Sequence, residues 1–162
     1  MKQTMRATLA VMSLTGLLIA GLGYGTASAG GHSSVTGKNV KTAVATAEFD
    51  ARNTGGSDYD VKGDFRGVPQ SPVDALLLLE GPVTCLHVEG NKAGFLYPIK
   101  RNSMPVLIKD DYVLITVEDG GPGGTDHMGF TGPAPEAAFP NCDPQVAPLE
   151  VTSGDIVVKD KG

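Results

Sequence analysis

The chain has 162 residues, with 18 acidic against 13 basic side chains, two cysteines, no tryptophan, 22 glycines and 11 prolines. That length accommodates one ordinary domain, and 41% hydrophobic content suffices for a packed core. Gly and Pro make up about a fifth of the chain, so much of it must be turns. The composition excludes a polytopic membrane protein, a collagen, a coiled coil and a basic nucleic-acid binder.

Residues 1–29 read as a secretory signal. Lys2 and Arg6 give a positive start, Ala7 to Leu22 carries no charge, and Ala27-Ser28-Ala29 supplies the small side chains a signal peptidase accepts. The apolar stretch is shorter than a membrane span and is diluted by Thr8, Ser13, Thr15 and glycines. Cleavage is expected between Ala29 and Gly30, leaving a protein with no stable membrane insertion. Without Lys2 and Arg6 the chain keeps 11 basic against 18 acidic groups, a balance of −7. Such an acidic surface disfavours nucleic acid and anionic lipid.

Export changes the meaning of the cysteines. Outside the cell, Cys85 and Cys142 are expected to form one structural disulfide, with free thiols or metal ligation as alternatives. The closed loop would be 58 residues, counted inclusively.

Along the mature chain no helical period survives, whereas strand-like alternation recurs between Gly, Pro, Asn and Asp clusters. Gly30 to Asn39 lacks periodicity and is expected to be a flexible leader, with one β-domain over 40–162. From Val40 to Ala51 the residues Ala43, Ala45, Ala47, Phe49 and Ala51 share a face. NTGGSD at 53–58 is turn chemistry, and Tyr59, Val61, Gly63 and Phe65 alternate with Asp60, Lys62, Asp64 and Arg66. The two segments predict an antiparallel hairpin with one wet face. Val68 to Asp74 reads as a bent connection or edge strand, and Ala75 to Glu80 as a short apolar run in which a helix is possible. Val83 to Glu89 and Ala93 to Ile99 predict a second hairpin around Gly90-Asn91, with Pro98 suggesting an edge. Further strands are expected at Val106 to Ile108, Tyr112 to Glu118, Met128 to Thr131, Leu149 to Thr152 and Ile156 to Lys159. DGGPGG at 119–124 is a loop. Residues 132–148 hold five prolines and read as an irregular covering loop pinned by Cys142. The expected fold is all-β, an antiparallel sandwich or partly closed barrel of about eight or nine short strands.

Several segments resemble a known pattern. GPVTCLHVEGNKA (Gly81 to Ala93) is similar to G-x-V-x-C-L-x-V-x-G-N-x-A, and VEDGGPGGTD (Val117 to Asp126), one residue shorter than the pattern, to V-x-D-x-G-x-P-G-x-x-D. FDARNTGGSDYDVKGDFRG and the terminal SGDIVV also fit. Together they resemble a family of uncharacterised small secreted bacterial β-domain proteins of actinobacterial type. The resemblance implies export and an all-β fold, and supplies no catalytic residues.

Few residues point to chemistry. Asp119 and Asp126 are candidate calcium ligands, although Gly121 and Gly123 stand where an EF-hand loop needs its third and fifth ligands. Apart from calcium no cofactor is expected. His127 beside Asp126 is a candidate base. His87, two residues after Cys85, shares its strand face, and His32 lies in the expected leader. No nucleophile elbow or zinc-protease motif is present. The expected function is therefore a secreted, non-enzymatic β-domain with an extracellular or cell-surface structural or binding role and a cell-wall or extracellular partner. The alternatives are a secreted hydrolase or lyase with a loop site near Asp126 and His127, and a calcium-stabilised extracellular module.

Overall fold

The computed structural model describes residues 32–70, 79–99 and 111–161. The expected signal segment with its Ala29–Gly30 junction, the stretch 71–78 and the strand expected at 106–108 lie outside them. Among the described residues ten strands form two antiparallel five-stranded sheets packed as a sandwich, not closed into a barrel. Sheet A has the order β10 (Ser153–Lys159), β1 (Ser34–Lys41), β2 (Ala45–Asn53), β3 (Val61–Pro69), β4 (Leu79–Pro82). Sheet B has the order β5 (Cys85–Glu89), β6 (Lys92–Pro98), β7 (Tyr112–Glu118), β8 (His127–Ala134), β9 (Leu149–Glu150).

The β2–β3 hairpin follows its alternation. Ala47, Phe49 and Ala51 are buried, Glu48, Asp50 and Arg52 are exposed, and Phe49 pairs with Phe65 across the ladder. Inside the sandwich the Phe95 ring sits 5.1 Å from Phe49 and 6.0 Å from Phe65, a tilted aromatic cluster joining the sheets. Tyr97 is fully buried beside Phe65, and its hydroxyl donates to the Glu80 carbonyl at 3.1 Å, tying β6 to β4. Burial holds the Tyr97 phenol above its ordinary pKa of 10.0, and nearby Glu80 adds to the rise.

The expected leader is corrected. Ser34–Lys41 is β1, paired on both sides, with Val35 and Val40 fully buried. Its alternation is hidden because Gly37 takes an inward position: a Cβ there would lie 2.2 Å from the Phe49 ring, so only glycine leaves room. Asn39, at φ 51°, then shifts the register before Val40. Val40 thus belongs to the end of β1 instead of opening β2. Thr42 makes the turn between them, its Oγ1 accepting the amides of Val44 and Ala45. Tyr59, expected on the inner face, stands 48% exposed in the hairpin loop. Leu79 and Glu80 belong to strand β4, not to a helix. Pro98 ends a strand that lies between β5 and β7, past the last β5 pairing at Cys85–Leu96. β3 runs on to Pro69, β8 to Ala134, and β10 begins already at Ser153.

Sheet B has a covered outer face. Cys85, Leu96, Leu114, Phe139 and Cys142 make a second small core there. The segment 142–148 crosses the sheet along one row of paired positions, His87–Gly94–Thr116–Gly129. A Cβ on Gly94 would lie 2.2 Å from the Cys142 carbonyl, and one on Gly129 2.5 Å from that of Val146. Between them the Gln145 amide donates to Thr116 Oγ1 at 3.0 Å. Small side chains along this row therefore form a trough, and the covering segment lies in it.

Candidate functional site

The DGGPGG loop comes from the end of β7 and folds against β10, the edge strand of sheet A. Asp119 accepts the Gly121 amide through Oδ1 (2.7 Å) and the Val158 amide through Oδ2 (3.1 Å). Asp126 accepts the Gly120 amide (2.9 Å) and the Ile156 amide (2.8 Å). All four carboxylate oxygens thus take backbone N–H groups, half within the loop and half from β10. The arrangement staples sheet B to an edge whose amides would otherwise be open for pairing. A calcium ion at these two residues would have to compete with the N–H donors. Among the described residues no group of three or more His, Cys, Asp or Glu is placed to hold a metal.

His127 begins β8 opposite Glu118. Since Asp126 directs both oxygens at amides, the two neighbours in sequence are not an acid–base pair. The structure instead joins His87 to Asp58, with Nδ1 donating to Oδ2 at 2.9 Å and Asp143 Oδ1 4.0 Å away. Asp58 lies in the β2–β3 loop of sheet A and His87 on β5 of sheet B, and the Leu86 amide donates to the Asp58 carbonyl at 2.8 Å. The pair therefore closes the β5 edge as the two aspartates close β10. It bridges 29 positions and left no local signal in the sequence.

Cys85 and Cys142 are disulfide-bonded, with Cα atoms 6.2 Å apart and both side chains fully buried. His87 shares the face of Cys85, as the two-residue spacing requires, and both lie under or beside the covering segment.

Among the described residues nothing covers the outer face of sheet A. Its exposed side chains fall in rows across the strands. One row runs Lys159–Ser34–Arg52–Lys62 and carries three cations. The next, Val157–Thr36–Asp50–Asp64, carries two carboxylates, and beyond it comes Glu48–Arg66–Glu80. A shallow depression of about 760 Å³ lies over the second and third rows. Arg52 directly faces Lys62 and Asp50 directly faces Asp64. Like charges at opposed positions destabilise a sheet, by roughly the 0.2–1 kcal/mol that favourable pairs contribute. Of Arg52, Lys62, Asp50 and Asp64 only Asp50 has a hydrogen-bonded side chain, accepting the Asp64 amide at 3.3 Å, and none of the four forms an ion pair within the described residues, whereas in the third row Arg66 Nε lies 4.0 Å from Glu80 Oε2.

Comparison with family models, with curated proteins and with solved structures finds no match to this chain.

Proposed function

We propose that the chain is an exported, non-enzymatic β-domain with a structural or binding role at the cell surface, and that the open face of sheet A is its working surface. The observation carrying this reading is the opposed like-charge pairs Arg52/Lys62 and Asp50/Asp64. They weaken the isolated sheet while presenting ordered rows of both signs to an outside partner. The other polar groups that drew attention in the sequence have structural work. Asp119 and Asp126 hold β10, His87 and Asp58 hold β5, and the cysteines pin the covering segment. Export is supported by the three-part pattern of residues 1–29, by the resemblance to secreted β-domains, and by a buried disulfide suited to an oxidising compartment.

Two measurements test the reading. N-terminal sequencing of the protein recovered outside the cytoplasmic membrane is expected to start at Gly30. Envelope fractions of producing cells are expected to capture added mature protein and to lose it when Arg52 and Lys62 are changed to Glu. Capture indifferent to that change, or no capture, rejects sheet A as the working surface.

A further inference from the structure

Sheet A's open face carries its charges in a self-complementary pattern. We infer that its partner is a second copy of the same face, the two packed about a two-fold axis that runs across the strands between the basic and the acidic row. This rests on the reading of sheet A as the working surface.

The geometry follows from the register. Rotation about such an axis lays each strand over its own counterpart, running the opposite way, and exchanges positions equidistant from the axis. Adjacent rows lie two residues apart along a strand, about 6.8 Å. Arg52 on β2 then faces Asp50 of the second copy, and Lys62 on β3 faces Asp64. One row further out, Arg66 faces Asp60. On β10, Asp155 faces Lys161, just past the strand end. Each of these eight residues is exposed. An isologous interface forms every such pair twice. Ser34 and Thr36 face each other near the middle, where small hydroxyl side chains let the sheets approach.

The same pattern selects against other registers. Moving the axis by half a row, onto the acidic row, sets Asp50 over Asp50 and Asp64 over Asp64, and like charges in contact are costly. The mature chain's balance of −7 also opposes non-specific association. Self-pairing therefore depends on the row match and weakens as salt screens it. The interface also explains the like charges opposed within one copy, since each gains its counter-charge from the other.

Sedimentation of the mature protein tests this at about 1 mM chain, where a millimolar dissociation constant already gives a substantial dimer population. Dimer is expected at about 20 mM salt and monomer at about 500 mM. Two surface variants sharpen the test. Arg52→Glu with Lys62→Glu makes both rows negative, and Asp50→Lys with Asp64→Lys makes both positive. Each alone is expected to stay monomeric at low salt with an unchanged circular dichroism spectrum, and the two mixed are expected to form a one-to-one complex. A monomeric wild-type chain at low salt, variants that dimerise like wild type, or a mixture that stays monomeric overturns the proposal. Loss of envelope capture on charge reversal together with a monomeric mixture assigns the face to a different partner. In that case self-pairing fails while the proposed working surface stands.

Discussion

Replacing Asp126 by alanine removes two acceptors at once. The Ile156 amide belongs to a residue that is 1% exposed, and its bond to Oδ2 is 2.8 Å. Leaving a partly buried N–H without its carboxylate costs roughly 1.5–3 kcal/mol. The Gly120 amide, in an exposed bond of 2.9 Å, can turn to water, and losing that bond costs about 0.5–1 kcal/mol. The sum, about 2–4 kcal/mol, is a large share of a stability of roughly 5–15 kcal/mol. For a domain of this size it lowers the melting temperature by on the order of 10 °C. Asp126→Asn keeps one carbonyl acceptor and is expected to lose about half as much. Urea unfolding of wild type and both variants gives the free energies, and hydrogen exchange reads the Ile156 and Val158 amides directly. Asp119→Ala is expected to act on the same edge, with a double variant less destabilised than the two singles added. A loss below about 1 kcal/mol for Asp126→Ala, with Ile156 protection unchanged, refutes the staple.

Other consequences are open to direct measurement. Changing Cys85 and Cys142 to alanine frees a 57-residue separation and is expected to cost about 4 kcal/mol in the chain-entropy account, read by denaturant midpoint. In the native protein both sulfurs should resist reductant and alkylation, because neither side chain is exposed. Gly94→Val places side-chain carbon where the Cys142 carbonyl lies 2.2 Å from a Cβ position, and overpacking of this kind costs about 1–3 kcal/mol. Exchange at the Gln145 amide is expected to rise with it. Calcium is expected to leave the melting temperature unchanged, since the four oxygens of Asp119 and Asp126 already accept amides. A rise with calcium concentration would show that they ligate. Tyr97 makes the fold alkali-sensitive. Its folded pKa is raised above 10.0, so its contribution is complete below that value and is lost as pH climbs through the folded pKa. Tyr97→Phe should therefore flatten the alkaline limb of a stability profile.

Strand alternation made the hairpins legible, because Phe49, Phe65 and Phe95 needed an inner face and their charged neighbours an outer one. Glycine hid β1: at Gly37 a missing side chain is itself the packing requirement, and a pattern of apolar residues cannot register an absence. The Gly94–Thr116–Gly129 trough escaped notice for a similar reason, since small residues on three separate strands become a groove only once the register aligns them. The aspartates of the β7–β8 loop stood out in sequence, but their role depended on β10, some thirty positions later in the case of Asp126 and Ile156. The His87–Asp58 pair likewise required both sheets. In each case the decisive neighbour was distant along the chain, whereas sequence periodicity reports only what is near.

β10 closes against β1, with Ser34 beside Lys159. The first strand thus waits for the last before its second flank is satisfied. Synthesis or translocation from the amino end must deliver the chain through β10 before sheet A is complete, and a nascent product stopped short of Ile156 keeps an open flank on β1. The same adjacency brings the two ends of the folded body together, so a short linker joining them and new termini opened in the β2–β3 loop would preserve every strand pairing.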